Sequence, residues 1–317
     1  MKPRYSADYR TMVWILVFAP AVMAVQYIWP HLIGPMTVLS LYFGVSAAVI
    51  AHNHNHCPTF STKRQNAFFG NVLSIFYGYP TFAWIPTHNL NHHKLVNKPG
   101  DATITWRFTN RHNFLVAFTY FFVSAYYQSE PTKQFIERAK QKNPKLYGMI
   151  RTQFTFWAVG HLSLLAIALA AHGFKLGLYV WFFATALPAV FALWTVHLFN
   201  YEQHVHTDPW SKYNHSRNFV GRSLNYLLFN NGYHTAHHEH AGAHWSELPA
   251  LDAPLAAHMD PVLRQRSVWW YWFRQYVLAV IVPSLGTRQI GRAPFDTASL
   301  SLKTDEVDAV TYNATRA

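Results

Sequence analysis

Four long apolar segments constrain this 317-residue chain more than any other feature of its sequence. They cover residues 11–29, 32–51, 151–171 and 176–199. As helices rising about 1.5 Å per residue, each is long enough to cross about 30 Å of hydrocarbon. Pro30, Gly34 and Pro35 break the first two into one hairpin, and His172, Gly173, Lys175 and Gly177 break the other two into a second. Residues 11–24 follow Lys2, Arg4 and Arg10 and have some features of a signal peptide. That reading is rejected because the apolar run continues to Trp29 and pairs with the next segment.

Charge agrees with the apolar blocks. Charged residues make up 13% of the chain against 51% hydrophobic, about half the usual charged share of ~25% for globular domains. Three Lys and Arg precede the first segment, twelve lie between His52 and Arg151, ten follow Asn200, and only Lys175 falls in an opposite-side turn. This asymmetry places both termini and the middle of the chain in the cytoplasm. The net charge of +12 points to an anionic partner, lipid headgroups or an acidic redox protein, and the apolar blocks argue against nucleic acid. Cys57 is the single cysteine, which excludes a disulfide scaffold and any Cys-based zinc or iron–sulfur site.

The expected fold is an all-α membrane protein. Four transmembrane helices in two hairpins would carry a cytoplasmic histidine-rich cap, in one domain over residues 1–285. Three further apolar stretches, residues 68–86, 114–127 and 267–282, read as interfacial or re-entrant helices on the cytoplasmic leaflet. The polar, aperiodic tail after Gly286 is expected to be disordered.

The chain holds 20 histidines, and they are clustered. His52 and His56 stand in HNHNH at the end of the second segment. His88, His92 and His93 stand in HNLNHH, and His234, His237 and His238 in HTAHH. Residues three and four apart share a helix face, so each box is expected to aim its rings at one point. Asn200 and His204, spaced four apart in NYEQH, emerge from the fourth segment at the depth where His52 and His56 emerge from the second. Nine imidazoles exceed the four to six positions of one metal, so two metals are the natural count, and imidazole suits Zn, Cu, Fe and Ni alike. There is no E-x-x-H pair of a carboxylate-bridged di-iron bundle, no H-E-x-x-H, no G-x-G-x-x-G and no P-loop.

In this order around two hairpins, HNHNH, HNLNHH, NYEQH and NNGYHTAHH, with NKPGD after the second box, resemble the membrane-bound fatty acid desaturase family from about His52 to Pro249. The resemblance implies a non-haem di-iron centre between membrane helices and cap. His52, His56, His88, His92, His93, His204, His234, His237 and His238 would be its ligands, and Asn200 would hold a metal-bound water. It also implies O2 as co-substrate and two electrons spent on removing hydrogen from an unactivated C–H of a fatty acyl chain or membrane lipid. Desaturation is favoured over hydroxylation and over decarboxylation to a terminal alkene. No His-Pro-Gly-Gly of a fused cytochrome b5 occurs, so a separate donor of ferredoxin, rubredoxin or cytochrome b5 type is implied.

Other histidines are assigned lesser roles. His54, His206, His240 and His244 are expected near the site but not on metal, and His197 either lines a substrate cavity or packs against a neighbour. Asp101, Glu202, Asp208 and Glu239 are candidates to orient ligand rings through the second ring nitrogen. A histidine-rich metal transporter is the rival from another class. It needs an ionisable path across the bilayer, and only His161 and His197 lie within the segments.

Overall fold

A computed structural model describes residues 1–296 of the chain. Among these the protein is mostly helical, with one two-stranded parallel ladder pairing β1 (Asn218–Phe219) with β2 (Arg264–Gln265). Three helices are long and apolar enough to cross a membrane. They are α1 (Asp8–Ile28, 21 residues), α2 (Pro30–His56, 27 residues) and α5 (Pro144–His204, 61 residues). A helix satisfies its backbone groups internally, which an apolar environment demands.

The third of these is not one straight rod. Gly173 sits at φ 72°, ψ 179° inside α5, a conformation that a side chain would resist. On either side of this break the chain folds back on itself, because Ala168 and Val180 share one buried cluster with Ile33 of α2. The bend is held against the end of α1. His172 Nε2 donates to the Tyr27 carbonyl at 2.7 Å, and Tyr27 Oη lies 2.8 Å from Thr185 Oγ1. The second arm of α5 then runs beside α2. A Cβ on Gly44 would lie 2.7 Å from the Pro188 carbonyl oxygen, so only glycine permits this approach. The main core lies along this seam, with Val45, Ala48, Val49, Ala51, Ala192 and Phe199 buried together. As a consequence, the ends of α2 and α5 reach the same level.

The long helices outrun their apolar runs. α2 continues from residue 51 to His56, and α5 begins at Pro144 and ends at His204. Their outer sides remain uncovered by protein, with Val17, Ile28, Val38, Val159, Leu162 and Ile167 all exposed. Large apolar side chains left facing outward in a contiguous band mark a surface made for lipid rather than water.

The three other apolar stretches depart from their expected outlines. Residues 68–86 are not one helix: α3 (Lys63–Tyr77) is capped by Thr62 and ends at Gly78, a one-turn 3-10 segment follows at Thr81–Ala83, and a π-helix covers Ile85–His92. α3 buries Phe69, Leu73 and Tyr77 in the core instead of lying free on a surface. Residues 114–127 form only the first half of α4 (Phe114–Lys142), which passes through Pro131. Its second half continues because Phe135, Ile136 and Ala139 pack on Phe82 and Ile150. Residues 267–282 are helical as expected, with α9 (Val268–Phe273) extended by a π turn and exposing Trp269, Trp270 and Phe273.

Three short helices, α6 (Arg222–Leu227), α7 (His234–Glu239) and α8 (Leu248–Ala256), follow α5 in the chain. Where a disordered tail is expected after Gly286, residues 287–296 are docked instead. Thr287 Oγ1 bonds His206 Nδ1 at 2.9 Å, and Ile290 N donates to the His206 carbonyl at 3.0 Å. The remainder of that expected tail, residues 297–317, lies outside the described residues.

Candidate metal centre

Four pieces of chain converge where α2 and α5 end. The last turn of α2 brings His52 and His56, and the last residue of α5 is His204. The π-helix brings His88 and His92, with His93 immediately after it, and α7 brings His234, His237 and His238. A six-residue helix such as α7 is not stable alone, and it is pinned by side chains beneath it. Thr235 N donates to Asn218 Oδ1 at 2.8 Å, Thr235 Oγ1 lies 2.7 Å from Ser216 Oγ, and Asn218 Nδ2 donates to Asp252 Oδ1 at 2.8 Å.

The nine histidines predicted from the boxes gather into two groups, each with its ligand atoms within 4.8 Å of one another. The first is His52, His56, His88, His93 and His237, and the second is His92, His204, His234 and His238. The rings meet through Nε2. In the first group His52 lies 2.9 Å from His88 and 3.1 Å from His237, and His93 lies 3.1 Å from His88 and 3.0 Å from His237. In the second, His204 lies 3.0 Å from His92 and 2.9 Å from His234, and His238 lies 3.1 Å from His234.

The boxes do not each aim at one point, contrary to the expectation from α-helical spacing. HNLNHH contributes His88 and His93 to the first group and His92 to the second; HTAHH contributes His237 to the first and His234 and His238 to the second. On an α-helix, His88 and His93 would be turned about 140° apart at 100° per residue. The π-helix over Ile85–His92, with its i to i+5 hydrogen bonding, narrows that separation, so that His88 and His93 share one group while His92 joins the other.

The outer ring nitrogens are held as well. Asp101 Oδ2 accepts from His92 Nδ1 at 2.8 Å and from Asn97 N at 2.7 Å, and Thr103 Oγ1 also lies 2.9 Å from His92 Nδ1. Burial pushes the Asp101 carboxyl up, but His92 and Thr103 outweigh burial and hold it down at about 2. His204 Nδ1 donates to the His215 carbonyl at 3.1 Å, and the His204 carbonyl accepts from Asn97 Nδ2 at 3.0 Å. Asn97, Thr103 and His215 were not singled out as supports of the metal ligands from sequence. Asn97 lies in NKPGD, which was noticed as a motif, whereas His215 acts through its backbone and carries no sequence signal.

Burial holds the imidazoles of His88, His93, His234, His237 and His238 well below the usual histidine range, and neighbouring imidazoles push in the same direction. Their neutral form is the form that binds metal. His56 Nε2 is buried and has no hydrogen-bond partner. A buried polar atom left unpartnered among four converging ring nitrogens is costly unless a cation completes the set.

The remaining candidates fall outside both groups. Asn200 Nδ2 donates to Tyr120 Oη at 3.0 Å. His54 is buried with Nδ1 2.9 Å from Thr59 Oγ1, His206 bonds the Asn110 carbonyl and Thr287, and His244 Nε2 lies 3.1 Å from Asp8 Oδ2. Of the four acidic candidates only Asp101 reaches a grouped ring. Glu239 Oε1 is 3.6 Å from His215 Nε2, Glu202 meets His112, Tyr271 and Tyr276, and Asp208 caps its own turn at Trp210.

A cavity of about 370 Å3 opens beside the first group, with His88 and Trp84 in its wall. The Trp84 ring centroid is 5.1 Å from those of both His52 and His88. Phe121, Ala125, Leu193 and Val196 supply apolar wall, and His197 and Asn200 line it too. His197 thus lines a cavity and also packs against a neighbour, its Nε2 lying 2.8 Å from Gln128 Nε2.

Comparison with known proteins agrees with the site. No curated protein and no solved structure matches the chain. The model of the fatty acid desaturase family matches residues 27–273, from the end of α1 to the end of α9 and including all nine grouped histidines, and the chain belongs to that family.

Proposed function

We propose that this protein is a fatty-acyl desaturase, an oxidoreductase that uses O2 and two electrons to place a cis double bond in a lipid chain. The observation that carries this reading is one side chain with two roles: His88 belongs to a five-histidine group and also forms part of the wall of a largely apolar cavity. Cavities of this size hold extended small molecules, and the wall residues would keep water from the reacting carbon.

The donor set fits two iron ions. Nine imidazoles divide into five and four, and the unpartnered His56 Nε2 points to a cation in the first group. The Nε2 atoms that meet within each group lie 2.9–3.1 Å apart, close enough to share a metal ion, and iron is the metal that the oxidation of an unactivated C–H calls for. When bound, the iron pair supplies the oxidising power to take hydrogen from an unactivated C–H. Asp101 keeps His92 in one tautomer and orientation, Asn97 and His215 do the same for the end of α5, and Trp84 and Thr87 bound the chain beside His88.

In this reading the break at Gly173 makes α5 two spans, for four in all, and the grouped histidines face the cytoplasm on the basic side of the chain. The outward aromatic residues of α4 and α9 rest in the interfacial layer. A separate acidic redox protein of ferredoxin, rubredoxin or cytochrome b5 type would deliver electrons to that face.

The deciding experiment is product analysis by gas chromatography from cells expressing the protein and fed saturated fatty acids. New cis-monounsaturated species are expected. An unchanged double-bond profile with hydroxylated or shortened products would end the desaturase reading. About two iron per chain is expected in purified protein, whereas stoichiometric zinc that persists under iron-replete expression would favour a metal transporter or sensor.

A further inference from the structure

The polar part of the cavity wall is arranged in an informative direction. His197 Nδ1 lies 2.7 Å from the Leu193 carbonyl, which can only accept, so this nitrogen carries the ring proton. The neutral ring then accepts at Nε2, and Gln128 Nε2, 2.8 Å away, donates to it. The second amide hydrogen of Gln128 goes to Ser124 Oγ at 2.9 Å. Both donors of the carboxamide are thereby used, which fixes its plane and leaves Oε1 with no hydrogen bond, on a residue that lines the cavity.

The serine and threonine hydroxyls lining the cavity cannot turn to meet that oxygen. Thr132 donates to the Gln128 carbonyl, Ser129 to the Tyr126 carbonyl, Thr87 to the Ala83 carbonyl, and Thr103 to Asp101. None of these hydroxyls keeps its hydrogen free for that oxygen. These hydroxyls therefore leave Gln128 Oε1 unmet, and although Trp84, Lys133 and two tyrosines bring donors to other parts of the wall, none of them bonds this oxygen, whose direction its own partners fix.

We infer that Gln128 is a specificity-determining residue whose carboxamide oxygen accepts a hydrogen bond from a hydroxyl or secondary amide N–H carried by the lipid chain. The inference rests on the proposal that this cavity holds the lipid. Plain methylenes against Gln128 Oε1 would strip it of water and return nothing, whereas a donor at that level replaces the lost bond.

The test is binding, measured with the purified, metal-loaded full chain under nitrogen so that no turnover occurs. The probes are saturated fatty acids of one length with a hydroxyl walked along the chain, a matched chain with an internal amide, and the plain acid. At least one hydroxyl position or the amide is expected to bind about tenfold more tightly than the plain acid, and the stronger of the two names the donor. Gln128→Leu is expected to erase the difference, chiefly by tightening the plain acid, while Ser124→Ala, which leaves Oε1 in place, retains it. Equal affinity for every probe overturns the inference and leaves the cavity assignment standing, as does a preference that survives Gln128→Leu. If no probe binds, both the inference and the cavity assignment fall. Should Gln128→Leu fail to fold, the wild-type comparison alone decides.

Discussion

The two histidine groups are built differently although they share the same ring chemistry. The first has five rings from α2, the π-helix region and α7, forms part of the cavity wall through His88, and has only neutral support, such as Asn53 Oδ1 at 3.1 Å from His52 Nδ1. The second has four rings, none of which lines the cavity, and rests on Asp101 against His92 and on the His215 carbonyl against His204. Open access and rigid anchoring are separated. The group that borders the cavity has more rings, and the group with fewer rings is held by a buried carboxylate, a contact that makes an imidazole a stronger donor.

Removing a ligand should expose this difference most sharply. His204→Ala leaves the second group with three rings, so metal content should fall from about two to about one per chain, with activity down at least 100-fold. Elemental analysis and product assay on the purified variant check both, and two retained metals would contradict the grouping.

Asp101→Asn should act on the same group more gently. It keeps the size of the side chain but removes the charge from His92, and a loss of roughly 10–100-fold in affinity for one metal is expected. Metal titration should show the other metal binding as in wild type. Equal weakening of both would mean that Asp101 supports the site as a whole.

Acid should act on both groups together. His88, His93 and His237 of the first, and His234 and His238 of the second, are held below the usual value of 6.5 by burial. Below about pH 6.5 the unfolded chain therefore binds more protons than the folded one, and stability falls as pH falls. Metal-free protein should show a melting temperature that drops steadily from pH 7 to pH 5. A flat profile over that range would mean that these rings are not held neutral.

The smallest effect is expected just outside the groups. His206→Ala loses bonds to Asn110 and Thr287, worth roughly 1 kcal/mol of stability, while both metals and most activity remain. If it loses metal where His204→Ala keeps it, the end of α5 has been placed wrongly. Asn200→Ala should lie between, with both metals bound and reduced activity.

Much of this was legible in the residues. Apolar runs located the long helices, the three boxes named eight of the grouped histidines, and the position of NYEQH at the end of the fourth run named His204, because these signals are local. The second half of α4 was not, since residues 128–142 are mostly polar and helical order there depends on Phe135 and Ile136 finding Phe82 and Ile150. Residues 287–296 were misread for a similar reason: a polar stretch without period carries no sign of the His206 and Thr207 backbone that receives it.

What the sequence by itself determined is which side chains can bind metal and that they gather where apolar helices end, since hydropathy and residue type are properties of short stretches of chain. The tertiary structure decided which histidine serves which group. For HTAHH the split follows from where the α-helix over His234–Glu239 sits between the groups, and for HNLNHH it accompanies a π-helix over Ile85–His92; both depend on how a segment packs between its neighbours, which no spacing of histidines encodes.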